Sequence, residues 1–173
     1  MHVVEMVLSS VLIIGLVLAW RDYNARWLFI LLGLFQVLEA TTKPITIQWT
    51  LHYYLWCAVL SVILLAMILF RGLIAEKVYN FTKIEYFKRT RESYALTIPE
   101  CAFCFLIFVS SVFCLLAWLE ILLYYYKIVS YPVIYHHLWV PTLYTLHILE
   151  ALALITFITR IIRPKGALNY EKN

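Results

Sequence analysis

The chain has 173 residues; 64% are apolar and only 14% charged, with net charge +4 and mean hydropathy +0.85. A soluble domain is about half apolar and about a quarter charged, so this composition excludes a water-soluble globular protein, and equally a disordered chain. Residues 1–173 read as a single integral membrane domain: all-α, a polytopic helical bundle with no soluble domain.

Crossing the hydrocarbon core takes about 20 mostly apolar residues. The first such run, about 3–20, ends at Arg21 and Asp22. It carries Glu5 where a signal peptide would carry a basic segment, and its basic residues follow the apolar run. Both features predict a retained helix with its N-terminus outside. The second run, about 27–41, is short, holds Gln36 and Glu39, and stops at Thr42, Lys43 and Pro44. A re-entrant hairpin competes with a full crossing here. The third run covers 51–70.

A basic loop, 71–98, follows. Its first half is expected to continue the third helix; its second half places Lys88, Arg89 and Arg91 beside Tyr86, Phe87 and Tyr94. Basic residues interleaved with aromatics suit an anionic lipid surface. Lys83, Lys88, Arg89 and Arg91 are the candidate contacts to lipid or to a protein partner. Nucleic acid is not expected, because the patch is short and tethered to the bilayer. Asn80-Phe81-Thr82 is a glycosylation sequon that should be silent on the cytoplasmic side.

Thr97-Ile98-Pro99-Glu100 fits a capping box with proline in the first turn, and opens the fourth run, about 102–126. From Ile98 to Tyr126 that helix would be about 43 Å long, so it must tilt or protrude. The fifth run, about 138–162, is stopped by Arg163-Pro164-Lys165-Gly166.

Charge bias favours about five spans. With five crossings, twelve of the fourteen Lys and Arg fall on one side, and only Lys43 and Lys127 on the other. The positive-inside rule then puts the N-terminus outside and the C-terminus in the cytoplasm, as in a multi-pass protein of a bacterial inner (plasma) membrane. Trp20, Tyr23 and Trp27 mark the inner interface. A denser aromatic belt, including Trp49, Tyr53, Tyr54, Tyr131, Tyr135 and Trp139, marks the outer one. That belt anchors the bundle or rims an outward-facing cleft.

Ionisable groups in hydrocarbon cost a few kcal/mol and need a reason. Glu150 lies about midway along the fifth span, with His147 three residues earlier on the same face. Glu39, Glu120 and His52 lie toward the outer side. Glu150, His147, Glu120 and Glu39 are therefore candidates for an ion or proton path. His52, His147 and Glu150 are candidates for a metal. A protonated, hydrogen-bonded structural role for Glu150 competes with both. His136-His137 in the outer loop reads as interfacial polarity or as a metal- or pH-responsive pair. Cys101 and Cys104 form a CxxC at a helix start, where redox or metal chemistry is conceivable; Cys57 and Cys114 look like small core residues.

Only Gly15 and Gly33 lie inside spans, and long-span interiors are expected to lack proline. Such rods favour a structural subunit, sensor or oligomeric pore over an alternating-access carrier. No nucleotide loop, Ser-His-Asp set or cofactor fingerprint is visible, so no cofactor is assigned. The expected function is a small non-enzymatic membrane subunit, a membrane sensor or partner-binding component, forming a homo-oligomer or meeting a protein partner on the cytoplasmic side. An ion or proton pore, and a membrane metal or redox protein, are the alternatives.

Overall fold

The computed structural model describes residues 2–92 and 96–162. Among them the chain is helical, with no strand. The helices are α1 (His2–Leu18), α2 (Tyr23–Thr46), α3 (Tyr53–Leu69), α4 (Arg71–Thr82), α5 (Glu85–Glu92), α6 (Ile98–Tyr125) and α7 (Trp139–Ile162). A 3-10 turn, Ala19–Arg21, follows α1, and a π-helical turn, Ile134–Leu138, leads into α7.

Three helices are long and apolar enough to cross a membrane: Tyr23–Thr46, Ile98–Tyr125 and Ile134–Ile162. This is a membrane protein by the length and composition of its helices. The pair α3–α4 makes a fourth candidate only as a broken span, and α1 is a shorter apolar helix.

The second run is longer than its hydropathy suggests. Asp22, in extended backbone, caps α2 by accepting from the amides of Asn24 (2.9 Å) and Ala25 (3.2 Å), which satisfies two orphan donors and starts the helix at Tyr23. At the other end α2 runs through Pro44 to Thr46, contrary to the expectation of proline-free spans. Nearby, the Thr41 and Thr42 hydroxyls donate to the carbonyls of Val37, Leu38 and Glu39, a local reinforcement that helps polar residues sit in an apolar helix. The result is one continuous helix of 24 residues, not a re-entrant hairpin.

The break falls instead after the third run. The helical path continues past Phe70, as expected, but α4 leaves α3 at 73°. Phe70 departs from helical backbone (φ −96°, ψ 15°), and its amide still bonds Ala66 at 2.8 Å. The start of α6 matches the predicted cap: Glu100 accepts from the Thr97 backbone amide at 2.7 Å. Tyr94, Arg163, Pro164, Lys165, Gly166 and Lys172, which entered the sequence argument, lie outside the described residues.

The packed core sits toward one end of the bundle. Leu12 and Ala19 of the α1 arm, Ala25, Leu28, Phe29 and Leu32 of α2, Ile68 of α3, Phe103 and Ile107 of α6, and Leu154 and Phe157 of α7 form one buried cluster. α3 and α6 pack closely along a second seam of small residues. There Ala58, Ser111, Cys114 and Ala117 are all buried, and Ser111 donates to the Ala58 carbonyl at 3.4 Å. Small residues let helix backbones approach in this way.

Candidate functional site

Three groups of polar side chains stand out, one at each end of the bundle and one between.

At the core end, Arg71 and Glu100 form an ion pair at 2.6 Å with both side chains fully buried. Arg71 opens α4 just past the bend, and Glu100 stands in the first turn of α6. One carboxylate oxygen meets the guanidinium while the other holds the Thr97 amide. A buried charge is tolerated only when paired and hydrogen-bonded, so this contact fixes the point where the broken span turns. The pairing is not evident in the sequence, where Arg71 reads as a loop charge and Glu100 as a cap. Pairing the third and fourth runs as antiparallel neighbours would have set residue 71 opposite residue 100.

Beside that pair, α5 folds back onto the start of α2. The Arg26 guanidinium stands 4.4 Å from the Tyr86 ring centre, 5.1 Å from Tyr23 and 5.3 Å from Trp20. Trp27 packs on Tyr86 and Phe87, at 6.5 and 5.9 Å between ring centres. Arg89 donates to the Tyr23 hydroxyl at 2.9 Å; that bond, with Tyr23 and Glu85 nearby, raises its pKa above the usual arginine value. Arg91 pairs with Glu76 of α4 at 3.1 Å. The aromatics read from sequence as lipid-facing thus pack inward, and Arg89 and Arg91 are engaged within the chain. Lys83 and Lys88 remain exposed.

In the middle, His147 Nδ1 and Glu150 Oε2 lie 3.0 Å apart on α7, with side chains 30% and 13% exposed. The predicted one-turn pair is formed. Gln36 of α2 donates to Ser9 of α1 at 2.6 Å. Glu39 of α2 is exposed.

Glu120 is held elsewhere. Its carboxylate accepts from the backbone amides of Val133 (2.8 Å), Ile134 (3.0 Å) and Tyr135 (3.1 Å). It thereby caps the π-helical turn and ties α6 to the start of α7, where unpaired amides and the helix dipole favour a negative charge. His147 lies about 18 Å further along that helix, at 1.5 Å per residue. His52 is exposed at the start of α3. Among the described residues no three His, Cys, Asp or Glu side chains gather as a metal site, so the structure does not unite His52 with His147 and Glu150. Cys101 is exposed while Cys104 is buried in the core.

At the far end, His136 stacks on Tyr131 at 5.0 Å, and His137 Nε2 lies 3.2 Å from the Tyr131 hydroxyl. Trp139 packs between Tyr54 (4.4 Å) and Phe113 (5.7 Å). An open cavity of about 630 Å³ lies nearby, bordered by Thr50, Leu51, Tyr124, Tyr125, Lys127 and Ser130. Compared with protein-family models, curated proteins and solved structures, the chain matches none of them.

Proposed function

We propose that the chain is a small non-enzymatic membrane subunit that works in an assembly, with the α4–α5 hairpin as its contact surface. The observation that carries this reading is the docking of that hairpin. A basic connector of no consequence would be free to wander. Here the Arg71–Glu100 pair fixes its root, and Tyr86, Phe87 and Arg89 clamp its return arm onto Tyr23, Arg26 and Trp27. Lys83, Lys88, Arg89 and Arg91 are then presented on a built platform.

In this reading the bundle crosses five times, through α1 with its 3-10 turn, α2, α3, α6 and α7. The N-terminus is outside, and the hairpin faces the cytoplasm of a bacterial cell from its plasma membrane. The basis is the gathering of basic residues on one side. A homo-oligomer or a cytoplasmic protein partner completes the unit, acting as a membrane sensor or adaptor. Native mass spectrometry of the full chain from mild detergent is expected to show a dimer or larger assembly, or a second bound chain. Lys88→Glu with Arg91→Glu is expected to lower the bound fraction. A strict monomer with nothing attached would sink the proposal.

A second reading, an ion or proton path, is supported by the His147–Glu150 contact, since a carboxylate only 13% exposed beside an imidazole can exchange a proton with it. Proteoliposomes carrying the wild-type chain should then show flux, reduced at least about tenfold in Glu150→Gln, by analogy with loss of a group acting in proton transfer. Absent or unchanged flux removes this reading.

A further inference from the structure

The α4 helix carries a surface that the hairpin's internal contacts leave uncovered. Phe70, Leu73, Lys77 and Phe81 recur at spacings of three and four residues, so they share one face of α4 and its first flank; Ile84 follows the left-handed turn at Lys83 (φ 57°). Phe70 is 56% exposed, Leu73 59%, Ile84 51%, and Phe81 92%. The opposite face holds Arg71 and Ala75, both fully buried. A shallow cavity of about 430 Å³ opens on the same flank, bordered by Phe70, Leu73, Ile74, Glu76, Lys77 and Asn80.

Two further observations say what covers this face. First, α4 leaves α3 at 73°. If α3 crosses the bilayer, α4 runs close to the membrane plane at the level where α3 emerges. Second, the charge along it is unbalanced. Glu76 is neutralised by Arg91, and Arg71 by Glu100. Lys77, Lys83 and Lys88 are exposed and enter no ion pair that is resolved among the described residues. An apolar stripe edged by lysines, lying in plane, matches an interfacial helix on an anionic leaflet. The lysine stems can lie along the acyl chains while their ammonium groups reach the phosphates.

We propose that α4 is an in-plane anchor: its Phe70–Leu73–Phe81 stripe enters the adjoining leaflet, and Lys77, Lys83 and Lys88 engage anionic lipid headgroups. The proposal needs the chain to span a membrane; it does not need the partner reading above. It also centres the lipid contact on α4 and the turn that follows it, with Lys88 of α5 at its edge.

The test uses the full chain with Cys57, Cys101, Cys104 and Cys114 replaced by Ala, and one cysteine introduced at Phe81, Glu85 or Phe108 to carry an environment-sensitive fluorophore. The protein is reconstituted into vesicles of phosphatidylcholine alone, or mixed with phosphatidylglycerol. Phe108 of α6 is 53% exposed and reports on the spanning premise. The Phe81 probe is expected to be quenched by a lipid-borne quencher, like the Phe108 probe. The Glu85 probe is expected to respond to an aqueous quencher. In anionic vesicles, changing Lys77, Lys83 and Lys88 to Gln should lower the ratio of inserted to free hairpin by about fivefold per lysine, an effect that added salt weakens. If the Phe108 probe is lipid-quenched while the Phe81 probe responds only to the aqueous quencher, the anchor is wrong and the spanning reading stands. If Phe81 is shielded from both quenchers, protein covers the stripe and the anchor is equally wrong. If the Phe108 probe is not lipid-quenched, the spanning premise and the anchor fall together.

Discussion

Replacing Glu100 with Gln is expected to be the most damaging single change in this chain, at a cost of about 3–5 kcal/mol. Arg71 would be left in the core with its counter-charge gone, and both side chains are fully buried in the intact pair. Arg71→Leu should cost somewhat less. A carboxyl left alone can take up a proton and become neutral, whereas a guanidinium cannot lose one. The double variant Arg71→Met with Glu100→Met should recover most of the stability, since a neutral pair of similar volume carries no desolvation penalty. Recovery should fall short by about 1 kcal/mol, for the bond that Glu100 makes to the Thr97 amide. Unfolding of the purified chain in mixed detergent micelles, followed by circular dichroism, reads all three variants against the unaltered chain. Equal, small losses for both single variants would show that the pair is not insulated from water.

The same pair shows what the sequence can and cannot convey. Composition identifies the bilayer as solvent, and hydropathy finds the helices, because the cost of exposing backbone to hydrocarbon acts on every residue of a span alike. Local chemistry was also visible: Thr97 and Glu100 announce the start of α6, and His147 with Glu150 meet because a helix brings residues three apart together. What depends on which helix neighbours which was not visible. Glu120 was read as an intramembrane acid, yet it caps the next helix from 13 to 15 residues away along the chain. Tyr86 and Phe87 were read as facing lipid, yet they pack on Trp27. The end of the second run is obscured in the sequence for a related reason. Hydropathy falls at Thr41, Thr42 and Lys43, but the threonine hydroxyls turn inward to their own helix carbonyls and let it continue.

Polar chemistry is also unevenly placed along the bundle. The end that carries the hairpin is closed by a single apolar cluster and an insulated ion pair. Toward the other end the contacts are a glutamine on a serine, a histidine on a glutamate, and a carboxylate gripping three amides. Close packing resists small displacements, while hydrogen-bonded polar pairs can be exchanged for water or for other partners.

The core at the hairpin end includes one close approach of two helices, and Gly15 tests it. A methyl group built on Gly15 would come within 2.3 Å of Phe29 Cε1 and 2.5 Å of Cζ. The ring cannot easily retreat, because Phe29 is 1% exposed and packs against Phe157 at 5.8 Å. Gly15→Ala must therefore push α1 away from α2 or force Phe29 out of its rotamer, and overpacking of this kind costs about 1–3 kcal/mol. Gly33, on the next helix, has nothing within 4 Å of the same added group. Gly33→Ala is expected to leave stability unchanged, or to raise it by up to about 1 kcal/mol through helix propensity. The two glycines look equivalent in the sequence, so their opposite responses isolate the α1–α2 contact from any general effect of removing glycine. Phe29→Leu combined with Gly15→Ala should restore much of what Gly15→Ala alone loses, because the smaller side chain vacates the space the methyl group enters. If Gly15→Ala and Gly33→Ala shift the detergent unfolding midpoint alike, α1 does not pack on Phe29 as described, and the core would have to close without it.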